Sequence, residues 1–145
     1  MIVTPVTLSD KAAWLPLWQA YLAFYRQSLP EEITDLTFAR FLDDAEPMGM
    51  VVAKEGEEML GFATWVTHRS TWAREGYVYL EDLFVTDAAR GKGVGRALID
   101  AVADIARTKG AGRLYWFTDG PNTTAQALYD KIAERTSYLQ YWKTL

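Results

Sequence analysis

Arg90, Gly91, Lys92, Gly93, Val94, Gly95 and Arg96 interleave glycine with cationic side chains in one short stretch. Glycine lets a main chain approach an anion closely, and arginine and lysine add charge around it. Upstream, the run YVYLEDLFV at 77–85 is apolar, aromatic and β-branched, the signature of a strand. Downstream, Val94, Ala97, Leu98, Ala101, Val102 and Ile105 recur at helical spacing until Gly110 and Gly112 stop the pattern. A strand, a glycine-rich turn and a helix start bring unpaired N–H groups and a positive dipole end to one point, which is a geometry for phosphate. The expected ligand carries a pyrophosphate.

Three phosphate templates discriminate further. The P-loop needs G-x-x-x-x-G-K-[ST], but Lys92 lies between glycines with no Ser or Thr after it. The dinucleotide fingerprint G-x-G-x-x-G fails in both registers, ending on Arg96 when counted from Gly91 and on Leu98 from Gly93. The pattern R/Q-x-x-G-x-G/A is met by Arg90, Gly93 and Gly95. Following a strand that ends LEDLFV, it resembles the coenzyme A signature of the GNAT N-acetyltransferase superfamily.

A second stretch strengthens the resemblance. Arg113–Thr118 (RLYWFT) reads as another core strand, followed by an Asp119-Gly120-Pro121 turn and by Asn122 where a helix N-cap belongs. Ala125, Leu128, Tyr129 and Ile132 continue at helical spacing, and Asn122 and Tyr129 stand two turns apart on nearly one face. N-x-x-A-x-x-L-Y is similar to the family's second cofactor motif. The likeness implies that Asn122 touches the pantetheine arm of acetyl-CoA and that Tyr129 faces its sulfur. It also implies that residues 90–96 hold the pyrophosphate and that main-chain groups of Leu83, Phe84 and Val85 bind the pantetheine amides and polarise the thioester carbonyl.

Amine acetylation needs a base, because an alkylammonium has a pKa near ~10.4, and it needs an acid for the leaving thiolate. The resemblance assigns the base to Glu81, acting through water. The other reading of Glu81 is an ion pair with a nearby arginine. Tyr129, protonated at neutral pH, is the candidate acid, or else a packed core residue. Strict alternation along 79–85 would place Tyr79, Glu81, Leu83 and Val85 on one face and Leu80, Asp82 and Phe84 on the other. Glu81 and Asp82 are therefore not expected to face one cleft. Trp18, Tyr21, Tyr25, Glu31, Glu32, Asp35, Trp65 and Trp72 are candidates for an acceptor pocket that suits an ammonium. The motif spacing looks most like the spermidine/spermine and histone/polyamine acetyltransferase branch. That likeness implies transfer from acetyl-CoA to the primary amine of a small, polyamine-like or amino compound. A catalytically silent acetyl-CoA-binding regulator and a protein or peptide N-acetyltransferase are the rival readings.

The elements that must position these residues follow from the patterning. Ile2–Thr7 reads as an edge strand. Ser9 is expected to cap a helix bearing Trp14, Leu17, Trp18, Tyr21, Leu22 and Tyr25, kinked at Pro16. A second helix is expected over Ile33–Asp43. Met48–Lys54 and Met59–Thr67 form a hairpin about Glu55-Gly56-Glu57, and Tyr138–Trp142 closes as a final strand. The order β-α-α-β-β-β-α-β-α-β is an α/β fold, a mixed central sheet flanked by helices, in agreement with the GNAT acyl-CoA N-acyltransferase fold.

Composition sets the outer bounds. The chain has 145 residues, half of them apolar and 14% aromatic, enough for one well-cored domain spanning 1–145. Zero cysteines remove disulfides and an acyl-cysteine intermediate, and one histidine, His68, cannot build a multi-histidine metal site; it reads as an exposed loop residue. No metal is expected. The first 60 residues carry a charge of −6 and the remainder +2, for a net −4, which argues against nucleic acid and suits a cationic substrate. Without a signal-like N-terminus or a membrane-length apolar run, a cytoplasmic protein is expected. Family habit and Tyr138, Tyr141 and Trp142 suggest a homodimer.

Overall fold

The computed structural model describes all 145 residues. Strand β1 (Ile2–Pro5) leads through a short 3-10 turn into helix α1 (Lys11–Phe24) and then helix α2 (Glu31–Phe41). Strands β2 (Met48–Glu55), β3 (Glu58–His68) and β4 (Tyr77–Val85) follow, then α3 (Val94–Thr108), β5 (Leu114–Tyr115) and α4 (Thr123–Ile132). The strands lie in sequence order in one sheet; β1 to β4 run antiparallel, and β4 and β5 are parallel.

Sheet residues are buried on both faces because helices cover both. Val51, Ala53, Ala63, Val78 and Leu80 pack against Leu98, Ile99 and Val102 of α3. Met50, Val52 and Phe62 pack against Trp14, Trp18 and Phe38 of α1 and α2. A helix striped with apolar residues on one side needs such a surface, and most helical stability comes from that packing. At Gly61 a β-carbon would collide with the Phe84 carbonyl, so only glycine lets β3 lie this close to β4.

Several sequence expectations shift here. The start of the helical segment is organised by Thr7, not Ser9: the Thr7 amide and hydroxyl both donate to Asp10 Oδ2, at 2.8 and 3.0 Å. Asp10 also accepts from Lys54 Nζ on β2, which ties the turn to the sheet. Helix α1 runs on through Pro16, and α2 begins at Glu31 behind Pro30 rather than at Ile33. The hairpin forms as read, with Gly56 at φ +59° in its turn. The strand expected over 113–118 pairs only at Leu114 and Tyr115. The final strand expected at Tyr138–Trp142 does not form; these residues are exposed and without regular structure.

Candidate active site

The parallel pair β4–β5 holds together for two positions, Val78 with Leu114 and Tyr79 with Tyr115, and then parts. Beyond that point β4 has no neighbour on its β5 side. Thr86 N–H donates to the Leu60 carbonyl at 2.9 Å. Ladder alternation from that bond aims the amides of Val85 and Leu83 away from β3, toward the gap.

At the mouth of the gap β4 carries a bulge. Thr64 is paired with Asp82 and Trp65 with Leu80, so Glu81 is the extra residue. A bulge leaves one residue unpaired and breaks the alternation of faces. Leu80 consequently shares the α3 face with Leu83 and Val85, while Asp82 lies with Phe84 on the α1 face. This corrects the alternation expected from sequence. Glu81 and Asp82 come close enough that burial, and then the Asp82 charge, push the Glu81 carboxyl above its ordinary pKa. Burial also raises Asp82, against the opposing hydrogen bonds of Thr64 and Tyr21. Of the seven ion pairs in the protein, none includes Glu81, Asp82 or Asp119, so the reading of Glu81 as an arginine's partner is not met.

Tyrosines ring these carboxylates. Burial and the neighbouring Asp82 drive the Tyr21 hydroxyl strongly upward, and burial raises Tyr25 in the same way. Tyr79, pushed up to about 12 by burial and by Glu81 and Asp82, stacks on Tyr115 at 5.1 Å. The Tyr115 hydroxyl lies 2.7 Å from His68 Nε2 at the end of β3. Of the acceptor-pocket candidates, only Tyr21 and Tyr25 belong to this cluster. Trp18 is core, Asp35 pairs with Lys11 at 2.9 Å, and Glu31 and Glu32 are exposed on α2. Trp65 lies on the opposite face under Lys109, and Trp72 stands in solvent. Asp82 and Thr64 were not singled out as cleft residues by the sequence, because only the bulge brings them there.

Tyr129 approaches from the other side of the sheet. Asn122 caps α4, accepting the Ala125 amide at 3.4 Å, and Tyr129 packs edge-on to Trp116 with ring centres 5.5 Å apart. Burial raises the Tyr129 hydroxyl, with a further push from Tyr25. A raised pKa keeps Tyr129 a proton donor at neutral pH.

The glycine-rich turn is built as a cradle. Gly91 and Gly93 take φ of +74° and +81°, a left-handed conformation that side chains disfavour, and Gly93 is the N-cap of α3. The amides of residues 91–96 donate to no acceptor in the protein. Six successive free donors at a helix N-terminus suit a pyrophosphate. Arg90 and Arg96 stand beside them, each tethered to an aspartate, Asp87 at 3.1 Å and Asp100 at 3.4 Å, while Lys92 is unpaired. From the cradle a groove of about 390 Å³ runs between Leu17, Ala20 and Phe24 of α1 and Phe84 at the end of β4. Thr86 lines it, and its buried hydroxyl has no hydrogen-bond partner within the protein. Free amides, an orphaned hydroxyl and a narrow apolar wall fit a long ligand with a pyrophosphate at one end and amides along its arm. A larger cavity, about 480 Å³ between Phe41, Met50, Trp65 and Lys109, lies apart from these groups.

A ligand of that shape, with its reactive end brought against tyrosines and carboxylates at a parting of parallel strands, defines an N-acetyltransferase that works from acetyl-CoA. The chain belongs to the acetyltransferase (GNAT) family, whose model matches residues 14–133. It is 38% identical to the D-amino-acid N-acetyltransferase of Saccharomyces cerevisiae, over 97% of this chain and 89% of that one. It is 37% identical to the thialysine N-epsilon-acetyltransferase of Caenorhabditis elegans, over 56% of this chain and 50% of the relative. Among solved structures, AAC(6')-Iy in complex with the bisubstrate analogue CoA-S-monomethyl-acetylneamine superposes with a TM-score of 0.86 at 20% identity, covering 99% of this chain and 97% of that one. At that identity the likeness concerns the fold. No helix is long and apolar enough to cross a membrane.

Proposed function

We propose that this enzyme moves an acetyl group directly to the primary amine of a small cationic molecule, polyamine-like or another amino compound. One observation carries the reading: Glu81 and Asp82 sit side by side at the bulge, ringed by Tyr21, Tyr25 and Tyr79, with no lysine or arginine paired to either. Carboxylates beside aromatic faces attract an ammonium group. The relatives named for D-amino-acid and thialysine acetylation point to amino compounds as well.

Acetyl-CoA, as co-substrate, supplies the acetyl group and departs as the free thiol. The amides of residues 91–96, with Arg90, Lys92 and Arg96, hold its pyrophosphate. Main-chain groups of Leu83 and Val85 and the side-chain amide of Asn122 align the pantetheine arm, while the main-chain groups of Phe84, expected to join them, turn to β3 and leave only its ring along the groove. Glu81 removes the ammonium proton through water, so that the nitrogen lone pair can form the new C–N bond. As the C–S bond breaks, Tyr129 hands its proton to the sulfur, and the second proton lost by the attacking nitrogen as it becomes an amide restores the Tyr129 hydroxyl through solvent. The working assembly in this reading is a homodimer.

The test is thiol release with acetyl-CoA against polyamines, lysine analogues, D-amino acids, aminoglycosides and peptides. Turnover concentrated on small free amines is the expected result. Turnover on peptide N-termini alone, or acetyl-CoA binding with no acceptor in any class, would overturn the assignment.

A further inference from the structure

The α1 face of the sheet is only partly covered. Met50, Val52 and Phe62 lie under α1 and α2, but beside the start of β4 the rings of Tyr79, Tyr115 and Phe117 belong to neither core. They pack on one another instead. Tyr79 stacks on Tyr115 at 5.1 Å, and Phe117 stands edge-on to both, at 5.8 and 6.0 Å, with 53% of its surface exposed. Tyr115 is also fixed through its hydroxyl. The Arg69 carbonyl can only accept, so neutral His68 donates to it from Nδ1 at 2.7 Å, and its Nε2 accepts from the Tyr115 hydroxyl at 2.7 Å. The result is a shelf of aromatic rings held from both ends and open to water, which is a surface for a ligand.

The shelf begins where the carboxylates end. Glu81 and Asp82 both act on Tyr79, so its hydroxyl borders that pair. The far end has the opposite sign. Arg113 lies 4.5 Å from the Tyr77 ring, takes part in none of the ion pairs, and is the charge that reaches Tyr115. Asp119, the remaining carboxylate of the cleft, acts with Asp82 on Tyr25 and not on Tyr115. Negative charge is confined to one end of the shelf.

We infer that the acceptor is an arylalkylamine: one ammonium group on a short spacer, with a flat apolar ring that lies on Tyr79, Tyr115 and Phe117. This rests on the amine-acetylation reading above and narrows its substrate class. The part of the acceptor beyond its ammonium has to leave Glu81 and Asp82, and the surface that continues from them through Tyr79 is the shelf. A linear polyamine suits it poorly. Its second ammonium would lie toward Arg113, where like charge repels it. Tyr79 and Tyr115 also give one face each to the other, which reduces what they can offer a cation. A neutral ring meets no such repulsion and adds the stacked and edge-to-face contacts that aromatic pairs favour.

The test is thiol release from acetyl-CoA with phenethylamine, propylamine and spermidine, read as kcat/KM for each. Phenethylamine is expected to be the best of the three. Phe117 is exposed and outside both cores, so its substitution spares the fold. Phe117→Ala should lower the preference for phenethylamine over propylamine by about tenfold, the worth of one aromatic contact. Phe117→Tyr, which keeps the ring, should keep the preference. Spermidine or propylamine used as well as phenethylamine overturns the inference and leaves amine acetylation standing. A preference that survives Phe117→Ala unchanged does the same. No thiol release with any of these amines also overturns it, and if the wider amine panel above is equally silent, the amine-transfer reading falls with it.

Discussion

Thr64 donates its hydroxyl to Asp82 Oδ2 at 2.5 Å and accepts the Asp82 amide at 3.1 Å, so one buried side chain holds both the backbone and the carboxylate of its cross-strand partner. It does so beside the bulge that exposes Glu81. The pair couples sheet geometry to cleft electrostatics.

Replacing Thr64 with valine keeps the volume and removes both bonds. Leaving buried polar groups unsatisfied costs about 1–3 kcal/mol. The expected result is a lower urea midpoint at unchanged slope. Because the Thr64 bond lowers the Asp82 pKa, its loss should also move the acid limb of the activity profile upward.

Stability should fall as pH rises above the ordinary carboxylate range. Glu81 and Asp82 are both raised in the fold, from reference values of 4.5 and 3.8, so the folded state holds their protons more tightly than the unfolded chain does. Their contribution is complete below those reference values and is lost as pH climbs through the raised ones. Denaturant midpoints measured against pH should show this decline, and a Glu81→Gln, Asp82→Asn double variant should flatten it. A midpoint that instead rises through this window, in a way the double variant abolishes, would reverse the sign argued here.

Tyr129→Phe should lower turnover by about 10²–10⁴-fold, the usual worth of a positioned general acid. Acetyl-CoA affinity by calorimetry should barely change, since the pyrophosphate and arm contacts are untouched. Equal losses in affinity and turnover would make Tyr129 a packing residue against Trp116.

Gly93→Ala should destabilise by about 1–3 kcal/mol, the cost of a side chain in left-handed backbone. A β-carbon at Gly93 meets nothing within 4 Å, so the penalty is conformational and not steric. Acetyl-CoA binding should weaken with it, because relaxation of this φ re-aims the amides at the start of α3. Thermal melts with and without acetyl-CoA separate the two effects.

The cradle was legible in the sequence because it is local. Glycines, cations, a preceding strand and a following helix are neighbours in the chain, and Asn122 and Tyr129 keep a helical spacing that survives folding. The bulge was not legible, since the extra residue at Glu81 is defined only by the register of β3 against β4. Alternation read along one strand therefore placed Leu80 and Asp82 together and kept Asp82 out of the cleft. The tail failed differently. Tyr138–Trp142 has the composition of a strand, but composition does not supply a pairing edge, and the sheet ends at β5.

The unpaired carboxylates of the cleft bear on how a catalytic cycle ends. In the proposed reaction the acceptor's ammonium supplies the counter-charge that Glu81 and Asp82 lack, and acetylation turns it into an uncharged amide. The group that draws the acceptor in is the group the reaction erases. Release of product is then coupled to chemistry at the reacting nitrogen itself, and re-entry of product is disfavoured by the same carboxylates that admitted the substrate.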